Sequence, residues 1–167
     1  AVDCYALNRQ LNQDVLIEVW TEKDAISGIL AKVTKPYTIS LVVNKGYNSS
    51  TAMYNSYKRF AEAFKQGKSV RILYFGDHDP SGLDMIRDIE DRLNFMFDRG
   101  VRVSHSFVDF EVIPVGLTME QINEFNPPHN PAKITDPRAS RYIAEFGQKS
   151  WEVDALKPAV MRSIVDE

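Results

Sequence analysis

The segment Arg71-Ile72-Leu73-Tyr74-Phe75-Gly76-Asp77-His78-Asp79-Pro80-Ser81-Gly82 decides how this chain is read. Its first five residues form a short apolar run of the kind that makes a strand covered on both faces. Gly76 frees the backbone to turn. Asp77 and Asp79 alternate, so both carboxylates can point the same way while the chain is still extended. Pro80 biases Asp79 away from helical geometry. Asp79 is therefore expected to be a helix N-cap, with Pro80 at the first helical position. From Ser81 to Arg99, Leu83, Ile86, Ile89, Leu93 and Met96 recur at helical spacing, and Gly100 follows as a stop. The unit is a strand, an acidic turn and a helix.

The same grammar repeats on either side. Val15–Trp20, Tyr37–Val43 and Phe110–Val115 are expected strands. Lys23–Ala31 and Ser50–Gln66 carry helical stripes, the second built from Met53, Tyr57, Phe60, Ala61 and Phe64 and stopped by Gly67. Such stripes are core packing. Strand–helix alternation predicts an α/β fold with a mostly parallel four-stranded sheet and helices on both faces. Beyond Val115 the pattern changes. Thr118 to Gln121 has the form of a capping box. A loop with four prolines follows, from Phe125 to Arg138. Asp136 and Pro137 are expected to open a helix through Phe146, closed by Gly147, ahead of a short extended piece and a last helix. The chain is thus expected to be one domain, 1–167, with a core at about 15–116 and a C-terminal helical elaboration over 117–167.

At 167 residues the chain can bury a core without disulfides or metal staples. Its single cysteine, Cys4, excludes an internal disulfide and a paired-cysteine zinc cluster, and points to a reducing, cytoplasmic setting. His78, His105 and His129 are scattered without zinc-ligand spacing. No apolar run approaches a membrane span. A net charge of −3 argues against coating nucleic acid by bulk charge, while leaving room for a local basic track or a metal-borne positive site. The start, lacking Met and a signal-peptide pattern, leads to the expectation of a piece of a longer protein.

In a parallel sheet, function gathers where loops leave the C-terminal strand ends. Three such loops are Thr21 to Asp24, Asn44 to Asn48, and Gly76 to Gly82. Glu22 beside Asp77 and Asp79 would bring three negative charges together, which like-charge repulsion forbids unless something compensates them. Magnesium, with manganese as the alternative, takes hard oxygen ligands of this type together with water and phosphate oxygens. Such a site suits phosphodiester chemistry. The competing reading leaves Asp79 as a plain cap and Asp77 in a plain turn.

With these residues in place, the chain resembles the Toprim family, shared by topoisomerases, bacterial primases and several nucleases. Glu22, Gly46, and Asp77 with Asp79 stand where that family has its Glu, its Gly-bearing turn and its Asp-x-Asp. The finer motifs are Glu22-Lys23-x-Ala25, Lys45-Gly46-Tyr47 and Asp77-x-Asp79-Pro80-x-Gly82. They are similar to the branch of the topoisomerase VI A subunit and its meiotic double-strand-break relative. Glu152-x-x-Ala155-Leu156 is similar to a late segment of that branch and to the Trp-Glu-Leu-Asp-Ala-Leu phrase of uncharacterised bacterial and phage Toprim proteins. The resemblance covers Ile17 to Leu83 most strongly. It implies magnesium on Glu22, Asp77 and Asp79, with Glu22 as a general acid or base in strand transfer. Relatives of that branch cleave DNA with a tyrosine on a separate winged-helix domain, and no such domain is recognisable here.

The expected function is therefore metal-dependent cleavage or transfer of nucleic-acid strands, as in a topoisomerase or nuclease, on DNA with RNA as the alternative. Catalytic and metal-binding roles are expected for Glu22, Asp77 and Asp79, and substrate contacts for Lys23, Lys45, Gly46 and His78. Lys133, Arg138 and Arg141 are candidates for a nucleic-acid path. Glu152 and Asp154 are candidates for a further carboxylate. Solvated surface charge accounts for each of these as well. The competing function is a non-catalytic metal-binding module that recognises nucleic acid or a protein. A small-molecule phosphatase is disfavoured, because its Asp-x-Asp typically follows the first strand and here it follows the third.

Overall fold

A computed structural model of the chain describes residues 8–43, 50–100 and 108–166. Cys4, Lys45, Gly46, Tyr47 and His105 lie outside these residues. Four strands, β1 (Val15–Thr21), β2 (Ser40–Val43), β3 (Ser69–Phe75) and β4 (Phe110–Gly116), form one sheet in the order β2-β1-β3-β4. All three pairings are parallel. The helices between them are α1 (Asp24–Thr34), α2 (Ser50–Lys65) and α3 (Pro80–Arg99).

The period-2 geometry of the strands divides the core in two. On one face, Trp20 of β1 and Val70, Ile72 and Tyr74 of β3 pack against Met53, Tyr57 and Phe60 of α2 and Met85, Ile89 and Leu93 of α3. On the other, Val19 and Phe75 pack with Ile26 and Leu30 of α1. Sheet and helices thus form the expected α/β sandwich, with helices on both faces.

Connectivity marks one place on the sheet. The β1–α1–β2 connection leaves β1 toward one edge, and β3–α3–β4 leaves β3 toward the other. Helices α1 and α3 accordingly cover opposite faces. Between the adjacent C-terminal ends of β1 and β3 the direction of winding reverses, and such a switch point opens a crevice. Glu22 follows the first of those strand ends directly, and Asp77 follows the second after Gly76.

The C-terminal part adds α4 (Met119–Phe125), β5 (Asn130–Pro131), α5 (Ala139–Phe146), β6 (Lys149–Ser150) and α6 (Pro158–Asp166). Strands β5 and β6 pair antiparallel. Ile122, Val153, Leu156 and Met161 join the α1-side cluster, so this elaboration covers that face. The capping box forms as expected: Thr118 Oγ1 accepts from Gln121 N at 3.3 Å, and Gln121 Oε1 accepts from Thr118 N at 3.1 Å.

Two local expectations are corrected. The second strand starts at Ser40, not Tyr37, because Lys35–Tyr37 continues α1 as a 3-10 turn and Thr38 takes φ 61°. Helix α5 starts at Ala139, with Arg138 at its N-cap position. Asp136 is not the cap; its carboxylate accepts from Arg138 N at 2.9 Å and holds the Arg138 guanidinium.

Candidate functional site

The site grows from two turns. After β1, Thr21 Oγ1 accepts from Lys23 N at 3.1 Å, which folds the chain so that Glu22 and Lys23 leave the strand end together. After β3, Asp79 caps α3 as expected: its backbone is extended, and Oδ1 accepts from Gly82 N at 2.7 Å. Gly82 allows this tight entry. A Cβ there would collide with the backbone carbonyl oxygen of Asp77.

Glu22, Asp77 and Asp79 come together at the switch point. Burial, then the charges of Asp77 and Asp79, push the Glu22 carboxyl above its usual range, and the Asp77 backbone N–H and Lys23 oppose the shift. The Asp77 carboxyl is also pushed up, first by burial and further by Asp79, against the opposing pull of the Val153 N–H and Lys23. Burial and neighbouring carboxylates thus both disfavour the charged forms of Glu22 and Asp77, a balance that added positive charge would relieve.

Part of that charge comes from Lys23. Its ammonium lies 3.3 Å from Asp77 Oδ2, 3.0 Å from Glu152 Oε2 and 3.3 Å from Asp154 Oδ1. Burial works against the charged form, but Glu152, Asp77 and Asp154 outweigh it and hold the lysine well above its usual value. The other Asp77 oxygen, Oδ1, accepts from Val153 N at 2.9 Å. Both oxygens of Asp77 are thus engaged by the protein itself. Among the described residues, no three His, Cys, Asp or Glu side chains are arranged to hold one metal ion as they stand. The donor chemistry nevertheless fits magnesium or manganese: hard carboxylate oxygens, gathered and charge-deficient, in a crevice.

His78 is corrected from substrate contact to structural residue. It is only 3% exposed. Its backbone exchanges two hydrogen bonds with Trp151: His78 N donates to Trp151 O at 2.8 Å, and Trp151 N donates to His78 O at 3.1 Å. Its ring packs edge-on against Tyr142, Phe146 and Trp151. Nδ1 lies 2.9 Å from the Tyr142 hydroxyl, which also sits 2.8 Å from His78 O and 2.9 Å from Lys149 O. Burial drives the imidazole below its usual pKa, toward the neutral form. Both His78 and Asp77 are tied to the C-terminal segment, His78 through Trp151 and Tyr142 and Asp77 through the Val153 N–H.

Of the basic candidates, Arg138 is engaged by carboxylates. Arg138 binds Asp84 at 2.9 Å and Asp136 at 2.8 Å, and Arg87 binds Asp84 at 2.8 Å and Asp91 at 2.6 Å. Asp84 is held at a pKa of about 2, chiefly by its hydrogen bond to Arg87. Arg141 lines a groove of about 440 Å³ between α3 and α5, together with Arg87, Arg138, Asp84 and Glu145. Lys133 is exposed. Glu152 and Asp154, weighed in the sequence as further carboxylates, do reach the site, as partners of Lys23. The Val153 N–H and the Tyr142 hydroxyl carry no sequence signal, because their partners lie far away along the chain.

Among the described residues, no helix is long and apolar enough to cross a membrane. No protein-family model, curated protein or solved structure matches this chain.

Proposed function

We propose that this chain is a Toprim-type domain that acts on nucleic-acid phosphodiesters with a divalent cation. The observation that carries the reading is the meeting of Glu22 with Asp77 and Asp79 at the β1–β3 switch point, where burial and then the charges of Asp77 and Asp79 raise the Glu22 carboxyl pKa. Glu22, Asp77 and Asp79 would hold Mg²⁺ or Mn²⁺. When bound, the cation neutralises charge on the reacting phosphate and eases deprotonation of a water or hydroxyl. Glu22, with its raised proton affinity, is suited to take or give a proton at its carboxylate oxygen. Asp79 is held rigid by its cap bond to Gly82, and Asp77 by Val153, so the ligands are oriented in advance. The substrate is DNA, with RNA as the alternative, and a winged-helix domain or partner subunit bearing a tyrosine would turn hydrolysis into strand transfer.

The test is plasmid cleavage. Full-length protein with Mg²⁺ or Mn²⁺ is expected to nick or relax supercoiled plasmid. The double change Asp77→Ala with Asp79→Ala is expected to lower the rate by at least about a hundredfold, as loss of a charge-stabilising catalytic group does. Activity that survives this change removes the site from the chemistry.

The engagement of both Asp77 oxygens favours a second reading, a non-catalytic binding module. The plasmid assay separates the two when run beside Mn²⁺ titration: a binding module takes up the cation without cleaving, whereas the catalytic reading needs both cation binding and cleavage, each lost in Asp77→Ala.

A further inference from the structure

The Lys23 ammonium has three N–H donors, and three carboxylates surround it, on Asp77, Glu152 and Asp154. With each donor facing one carboxylate, none is left over for a substrate phosphate. The partners differ in position. Asp77 is the innermost, with its side chain 14% exposed, whereas Glu152 is 51% exposed and Asp154 is 33% exposed. On Asp77, Val153 holds Oδ1, so Oδ2 is the oxygen that Lys23 covers. A positive charge within about 4 Å of a ligand oxygen opposes a second cation there by an amount worth a factor of ten or more in affinity at near-surface dielectric.

We propose that Lys23 is a tethered counter-ion for Asp77: its ammonium and a divalent cation exclude one another at Oδ2, and cation binding shifts Lys23 onto Glu152 and Asp154. The inference rests on the metal-site reading above. It makes Lys23 a positioning residue that keeps the acidic cluster folded before the cation arrives. Glu152 and Asp154 then become the lysine's resting place outside the ligand set. It also explains how Asp77, Glu152 and Asp154 can crowd together without a metal.

The experiment is calorimetric titration of the full chain with MnCl₂ and MgCl₂, comparing wild type with Lys23→Gln, Lys23→Met and the control Lys32→Gln. Lys32 lies exposed on α1, the helix whose N-cap position Lys23 occupies. Removing the Lys23 charge is expected to tighten cation binding about tenfold, while Lys32→Gln leaves it unchanged. Thermal unfolding gives a second readout: the melting point of the Lys23 variants is expected to rise more on adding Mn²⁺ than that of wild type. Unchanged or weaker binding in both Lys23 variants, with wild type binding normally, overturns the assignment of Lys23 and leaves the metal site standing. Absence of binding in wild type and in both variants overturns the metal site as well. Binding that appears only in the Lys23 variants supports the exclusion in its strongest form.

Discussion

The backbone N–H of Val153 donates to Oδ1 of Asp77 at 2.9 Å, so a residue from the C-terminal elaboration orients a carboxylate of the sheet. The elaboration is therefore part of the site. Val153 opens a 3-10 turn, and Glu152 before it is extended, at φ −91° and ψ 137°, a geometry that suits a residue preceding proline.

Val153→Pro is expected to remove this donor with little change in backbone path. Loss of a hydrogen bond to a charged group should destabilise the chain by about 1.5–3 kcal/mol. Urea unfolding reads the loss, and weaker Mn²⁺ binding should accompany it. A variant as stable as wild type would mean that the bond does not hold Asp77.

Gly82→Ala tests the turn itself. Helix propensity alone favours alanine by about 1 kcal/mol. The Asp77 carbonyl stands where the Cβ would go, so the opposite outcome is expected, a destabilisation of about 1–3 kcal/mol. Thermal unfolding decides the sign.

Glu22→Gln is expected to abolish the proposed plasmid cleavage and to stabilise the fold at the high end of the pH range. The Glu22 carboxyl takes up a proton more readily in the folded chain than in the unfolded one, because of burial and then Asp77 and Asp79. The stability linked to that proton is complete below the ordinary glutamate value and is lost as pH rises through the raised one. Where the carboxylate is ionised it opposes folding, and the amide should be the more stable there. The gain should shrink on acidification, as followed by denaturant unfolding at several pH values.

His78 has the reverse sign. Burial lowers its folded-state pKa, so its contribution is complete above the ordinary histidine value and is lost as pH falls below it. Measured against His78→Phe, wild type should lose stability below about pH 6.5, at a slope of up to about 1.4 kcal/mol per pH unit. A difference independent of pH would mean that the imidazole accepts its proton in place.

The fold was largely legible in the sequence, because strands buried on both faces announce themselves as apolar runs and helices by their stripes. The Asp79 cap and the Thr118 box were also legible, since each partner lies three residues away. The rest depended on distant partners. Glu18 stands in an apolar strand and is 1% exposed, and its carboxylate is met by the Trp20 indole N–H, Ser56 and Arg59 of α2. Nothing local to β1 names those partners. Strands of two residues, such as β5 and β6, carry no pattern at all. Asp136 misled because its carboxylate serves the Arg138 guanidinium as well as the backbone. His78 misled because the partners that bury it, Tyr142, Phe146 and Trp151, lie far along the chain.

The two-way exchange between His78 and Trp151 uses only main-chain atoms. These two bonds are therefore indifferent to side-chain identity, proline aside, although the buried His78 and Trp151 rings are not. Tyr142 enjoys no such freedom, because only its hydroxyl spans the distance to the carbonyls of His78 and Lys149. Protein engineers who wish to loosen or retune this corner will find their handle at position 142.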